Sequence, residues 1–347
     1  MSIVEVARPV VGGVDTHLDV HVAAAVDASG GLLGVRSFPT TPAGYHALSS
    51  WLTSFGTVER VGVEGTGAYG AGLARHLAAS GMTVIEVDRP NRQERRRNGK
   101  SDELDAIEAA RAVRSGRALG HAKSGDGNAE ALRALLVAKR SARSIRIATA
   151  GQLRHLVVSA PDDLRVRLSG LTTKALIAHA GALRPGAASD PVRHATKTAI
   201  VTLARRAQAV NAEIATVDRH LEALIRQQRP RLLEIYGVGV DTAAILLVAA
   251  GDNAGRIHSE AAWAKLCGVA PIPAGSGKTN NRHRLNPGGN RQANHALWRI
   301  VITRLGQHDP RTVTYMQRRL AEGRTKPEII RSLKRYVARE TYPHVIA

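Results

Sequence analysis

Four carboxylates sit in three short motifs of the first third of the chain: Asp15 in GGVDTH, Glu64 in VGVEGTG, and Asp102 and Asp105 in KSDELDA. Asp15 and Glu64 each close a run of β-branched residues. Both therefore fall at strand ends, on the rim where open α/β sheets place their sites. Asp102 and Asp105 lie three apart at the start of a helical pattern, so they point to one face. By themselves such residues only complement the positive end of a helix dipole. Four carboxylates on one rim repel each other unless a cation lies among them, and hard divalent cations take oxygen ligands. Two Mg²⁺ ions about 4 Å apart form the clamp used for in-line displacement at phosphorus. The chemistry suggested is metal-assisted phosphodiester cleavage.

Basic residues accompany this group. Arg89, Arg92, Arg95, Arg96, Arg97 and Lys100 precede KSDELDA with only Glu94 opposing them. A run of this kind is ordinarily a solvated face, but beside a phosphodiester site it suits phosphate neutralisation. A second candidate is AGSGKT (274–279), followed by Asn281-Arg282-His283-Arg284. It resembles a phosphate-binding loop, yet Ile272 stands where the first glycine of that motif belongs, and no strand precedes it. Ser276 is flanked by glycines and followed by Lys278, Arg282, Arg284 and Arg291. A serine in such a positive field could attack a phosphodiester, the field stabilising its alkoxide and the transition state. The same residues also suit a flexible basic loop that merely contacts DNA.

The elements that must hold these residues fall into three regions. PVVGGVD, VHVAAAVD and LLGVRSFP read as consecutive strands; Thr41-Pro42 opens a helix; RVGVEG is a buried strand, TGAYGAGLARHLAASG a helix ended by Gly81, and MTVIEVD a further strand. This is an α/β pattern with a mixed sheet, as in ribonuclease H-like and RuvC-like domains, expected over 1–125. Region 126–228 has almost no strand signal. Leu203, Ala207, Val210, Ile214, Val217, Leu221 and Leu224 repeat at the spacing of a coiled coil. Leu132, Leu135, Leu136, Ile145, Leu153 and Leu156 form a looser stripe, so two long helices are expected, packed on each other or on another copy. The third region, 229–347, is mainly helical and basic. LLEIYGVGVDTAAILLVAA reads as a helix-hairpin-helix whose turn, at Gly237 and Gly239, can offer backbone N–H groups to a phosphate; a plain αα-turn is the alternative. Thr325 and Glu328 make a capping box for the last helix.

The 347-residue chain carries a formal net charge of +20 and a pI near 11.1, which points to a polyanionic partner, nucleic acid being the commonest. Residues 1–88 hold four Lys/Arg against eight Asp/Glu, so the positive charge lies beyond them. Aromatic residues make up only 3%, which argues against a surface built on base stacking. Cys267 stands alone, which rules out an internal disulfide and a zinc cluster. No run of about 18 apolar residues occurs and the start lacks a signal-peptide layout, so a cytoplasmic location is expected.

With GVDTH, VEGTGAYG and KSDELDA followed by LCGVAPIPAGSGKT, HRLNPGGNRQAN and HDPRT, the chain resembles DEDD-type insertion-sequence transposases of the "IS-one-ten" family over essentially its whole length. The resemblance implies a RuvC-like domain, a coiled coil and a C-terminal domain with a serine nucleophile. Asp15, Glu64, Asp102 and Asp105 would then hold Mg²⁺, and Ser276 would attack DNA. It further implies a bridge RNA that pairs with donor and target DNA. Tetramers would join one copy's metal domain to another's serine domain. Alternatives from the residues alone are a RuvC-like junction nuclease using water, a non-catalytic nucleic-acid scaffold, and an RNase H-like sugar kinase or ATPase. The charge and the missing phosphate loop argue against the last.

Overall fold

The computed structural model describes residues 8–87, 101–118, 120–184, 190–275, 283–284 and 286–346. The chain forms two compact units, 1–130 with 250–258, and 131–249 with 259–347.

The first unit is built on a five-stranded sheet in the order β3-β2-β1-β4-β5. Strands β1 (Pro9–Thr16), β2 (Val20–Asp27) and β3 (Leu32–Pro39) form an antiparallel meander; β4 (Thr57–Glu64) and β5 (Thr83–Val87) continue it in parallel with β1. Parallel neighbours need crossover connections. Helices α1 (Pro42–Thr53) and α2 (Ala71–Ala79) supply them. Thr41 caps α1 by accepting from the Gly44 amide at 3.1 Å, and Pro42 fits the first turn, where no N–H is needed. Helix α2 starts later than its composition suggests, because Gly65 at φ +69° opens a turn that occupies 65–70. This mixed sheet fits the expected RuvC-like class.

Both sheet faces are covered. Val10, Val14, Val61 and Val63 pack with Leu48, Leu52, Leu73 and Leu77 of α1 and α2. On the opposite face Val11, Ile85 and Val87 pack with Ala109, Ala110 and Val113 of α3 (Asp102–Arg114). The small side chains of α3 let it approach closely. A Cβ at Gly13 would lie 2.2 Å from the Ala106 carbonyl oxygen and 2.2 Å from the Ala110 nitrogen, so the helix rests on the bare strand backbone there.

Among the described residues, the regular structure of the second unit is helical apart from a two-residue pairing of β6 (Ile272–Pro273) with β7 (His283–Arg284). Two long helices, α4 (Asn128–Val158) and α7 (Pro191–Gln228), run with the short α5 (Asp162–Leu168) and α6 (Thr173–Gly181) between them. Ala207, Val210, Ile214, Val217 and Leu221 of the expected stripe are buried. At its two ends burial passes to Ala204 and Ile225, and Leu203 and Leu224 are only half-buried. A helix of 3.6 residues per turn drifts by about 20° per heptad, which moves the buried seam sideways over a helix this long. The seam packs within the chain: Leu153 and Val157 of α4 and Leu176 and Ile177 of α6 meet Ile200, Val201, Ala204 and Ala207. Ile145, expected in the α4 stripe, is 45% exposed, and Ala142 takes its place against Val210 and Ile214.

An ionic knot around the buried Lys139 joins four helices of this unit. Lys139 on α4 pairs with Asp218 on α7 and with Asp241 in the first turn of α9 (Val240–Ala250). Asp241 also accepts from Arg143 at 2.7 Å and from Arg299 at 3.2 Å. Burial raises the Asp241 carboxyl, but the hydrogen bond and charge of Lys139, with Arg299 and Arg143, hold it below the ordinary carboxylate value. Helices α11 (Arg291–Gly306), α12 (Pro310–Ala321) and α13 (Lys326–Ile346) complete the unit, with α10 (Glu260–Leu266) burying Trp263 against α13. Thr325 and Glu328 pair at the start of α13 as the capping box requires, the Thr325 amide donating at 2.9 Å.

Candidate metal centre

Pleat and register decide where the carboxylates go. Val14 pairs with Val63 across β1 and β4, and both point to the α1/α2 face. Side chains alternate along a strand, so Asp15 and Glu64, the next residue in each, belong to the α3 face at the C-terminal ends of adjacent parallel strands. Helix α3 crosses that face with Ala106 and Ala110 over Gly13. One helical turn back toward its N-terminus covers about 6 Å. Two residues forward along β1 cover roughly 6.6 Å. Asp102 and Asp105, one turn before Ala106 and Ala109, therefore arrive beside Asp15. Asp15 is 7% exposed and Asp105 5%, while Asp102 and Glu64 remain more open. The Thr16 hydroxyl donates to the Glu64 carbonyl at 2.8 Å and ties the two strand ends together.

His17 joins this group, although its sequence context does not mark it out. Its Nε2 lies 3.0 Å from one Asp15 carboxylate oxygen and 3.4 Å from one of Asp102. One donor atom each from Asp15, His17 and Asp102 lies within 4.8 Å of the others, a spacing that can hold a metal ion. Burial pushes the Asp15 carboxyl above its ordinary value; His17 opposes this, and the charges of Asp105 and Asp102 add to it. A desolvated carboxyl crowded by like charges is a position that a cation relieves. The donor set, mostly carboxylate with one imidazole, fits a hard or borderline divalent ion. His17 stands two residues after Asp15 at the end of β1, so GVDTH carries a second donor beside its carboxylate. A motif reading confined to carboxylates misses it.

The other expected contacts fall in different places. Arg89, Arg92, Arg95, Arg96, Arg97 and Lys100 lie outside the described residues, as do Ser276, Lys278 and Arg282, and the side chain of Arg284. Gly237 and Gly239 lie in the turn between α8 (Pro230–Glu234) and α9, where Gly237 adopts φ +80°. The Gly239 amide donates to the Thr242 hydroxyl at 3.0 Å, so that N–H is engaged within the turn. Arg291 opens α11, is exposed, and lines a basic cleft of the second unit. Among the described residues, no helix is long and apolar enough to cross a membrane.

The sheet rim and the remaining sequence have counterparts in known proteins. Residues 12–160 match a family model described as Transposase, of the DEDD type of IS110, and residues 229–317 match Transposase IS116/IS110/IS902 family. A 43.6 kDa protein of insertion element IS110 from Streptomyces coelicolor is 31% identical over 138 residues, 39% of this chain. A 42 kDa protein of insertion element IS900 from Mycobacterium paratuberculosis is 26% identical over 147 residues, 42% of this chain. These matches span 34% and 37% of the two relatives' own lengths. The first family match contains all four carboxylates and His17, the second contains the glycine-flanked serine, and the chain thus matches, in order, two domain models of IS110-type transposases.

Proposed function

We propose that the chain is the transposase of an insertion sequence, breaking and rejoining DNA by phosphoryl transfer at Asp15, Glu64, Asp102 and Asp105. The observation that carries this reading is the meeting of Asp15 and Asp102 around His17 at the sheet rim, with Glu64 on the neighbouring strand end. Two Mg²⁺ ions held there would stabilise charge on the attacking and leaving oxygens of an in-line displacement. The protein's own part is to fix the carboxylates, with the rigid crossing of α3 over Gly13 setting their spacing.

Ser276 is proposed as the nucleophile. Its Oγ forms a bond to phosphorus as the DNA P–O bond breaks; the serine proton is lost and the leaving strand departs as a free hydroxyl. A second hydroxyl then attacks the phosphoserine, forms the new P–O bond and returns the serine. The bond energy is conserved, so no nucleotide triphosphate is consumed. The order of domains and the glycine-flanked serine in a basic stretch support this. With the family resemblance come a bridge RNA as guide, pairing of the helical region as a coiled coil, and a tetramer in which one copy's carboxylates act with another's serine.

The test is strand cleavage of donor DNA in Mg²⁺ by the wild type, Asp15→Asn and Ser276→Ala. Loss of cleavage in both, with a covalent protein–DNA adduct in the wild type alone, is expected. Cleavage that persists in Ser276→Ala with no adduct in the wild type favours a RuvC-like nuclease using water instead.

A further inference from the structure

The second unit carries a cleft of about 1410 Å³ between the 268–271 turn, the 286–290 loop and helices α11, α12 and α13. Small-molecule pockets hold roughly 300–1,000 Å³, so this one suits an extended ligand. Eight Lys and Arg side chains line it against one carboxylate, Glu328, which is occupied in capping Thr325. Arg318 and Arg319 pair with Glu322, and Arg335 and Arg339 with Glu260. Arg291, Arg324, Arg331 and Lys334 make no salt bridge among the described residues, although the charges of Arg324 and Arg331 help lower the Glu328 carboxyl. Lys334 is held in place by Asn294, whose Oδ1 accepts from Nζ at 2.7 Å while its Nδ2 donates to the Cys267 and Gly268 carbonyls. Burial, and then Arg331, push the Lys334 ammonium below its ordinary value.

The same walls present aromatic faces. Trp298 is 39% exposed and stacks on His295 at 5.3 Å; Tyr336 is 50% exposed and meets Tyr315 edge-on at 5.5 Å. Arg318 lies over the Tyr315 ring, its guanidinium carbon 5.3 Å from the centroid. In a chain with 3% aromatic residues, three tryptophan and tyrosine rings in one basic cleft form a concentration that composition conceals. A duplex hides its base faces and offers a cleft only phosphates and edges. Cations that follow a backbone, interleaved with ring faces, are the combination that binds unpaired strands.

We propose that this cleft binds a single-stranded nucleic-acid segment, its bases stacking on Trp298 and Tyr336 and its phosphates held by Arg291, Arg324, Arg331 and Lys334. The proposal rests on the nucleic-acid reading above but not on its chemistry, since the cleft shares no residue with the carboxylate group. It gives an unpaired stretch, exposed when strands are opened or looped, a place on the protein.

The experiment is anisotropy of labelled oligo(dT), oligo(U) and a duplex of equal length with the full chain in EDTA, where metal-dependent cleavage is silent. Trp298→Ala and Tyr336→Ala should each weaken single-strand binding by roughly 5- to 150-fold, with duplex binding within about twofold of wild type. Trp298→Phe and Tyr336→Phe, which keep a ring, should restore most of the affinity and so separate stacking from misfolding. Lys334→Met should lower the dependence of log affinity on log salt by about 0.7 for a single strand. Preference for oligo(dT) assigns the cleft to a DNA strand and preference for oligo(U) to RNA; either supports it. Equal losses on duplex and single strand, no loss in the alanine variants, or displacement by polyglutamate at equal charge would overturn it. If Asp15→Asn retains cleavage while the alanine variants lose single-strand binding, the proposed chemistry fails and the cleft stands.

Discussion

Replacing Gly13 by alanine puts one methyl group where α3 touches the sheet. That Cβ would lie 2.2 Å from two backbone atoms, the Ala106 oxygen and the Ala110 nitrogen, and neither can swing aside as a side chain end could. Restoring an ordinary contact of 3.4 Å requires α3 to back away by about 1.2 Å. Overpacking of this kind costs about 1–3 kcal/mol of stability. The larger effect falls on the site, because Asp102 and Asp105 ride on the first turn of α3 while Asp15 stays on β1. A misplacement of about 1 Å costs on the order of 100-fold in rate. Gly13→Ala should therefore fold, melt a few degrees lower, and cleave DNA on the order of 100-fold more slowly in Mg²⁺. Gly12→Ala is the internal control. Its Cβ would face the other side of the sheet and meet side-chain methyls of Leu52 and Val61 at 3.0–3.3 Å, which can shift. It should lose little stability and little activity. Cleavage by folded Gly13→Ala within about threefold of wild type would refute the argument that the α3 crossing sets the carboxylate spacing.

Other perturbations test separate parts of the structure. Asp241→Asn leaves Lys139, 5% exposed, with Asp218 as its remaining partner in the knot, and should cost about 3–5 kcal/mol in urea unfolding. Because the folded Asp241 carboxyl titrates below its ordinary value, its contribution is complete above about pH 4 and lost as pH falls through the folded value. The wild type should lose more stability than Asp241→Asn when both are taken from about pH 5 to about pH 2.5. His17→Ala should weaken Mn²⁺ binding by roughly 10- to 100-fold, read as the Mn²⁺-dependent rise in melting temperature; an unchanged Mn²⁺ titration would remove His17 from the site. Cys267 is fully buried, and desolvation pushes its thiol far above the ordinary range, so a thiol reagent should label it only in denaturant; rapid labelling of the native protein would contradict that burial.

The strand runs around Asp15 and Glu64 and the mixed character of their sheet were legible because a half-buried or buried strand writes its period into β-branched residues, while the strand order was decided only by the fold. The acidic start of α3 was equally legible, as were the capping box at Thr325 and the core of the heptad stripe in α7. These are local properties, fixed by neighbours within a few residues. Tertiary structure decided the rest. His17 became a donor only when the end of β1 met the first turn of α3, more than eighty positions later in the chain. The inward course of the α7 seam at its N-terminal end depended on helical drift against α4 and α6. Trp298, Tyr315 and Tyr336 lie on three different helices, and their gathering in one basic cleft could not be counted from composition, because a percentage records how many rings there are and packing records where they meet.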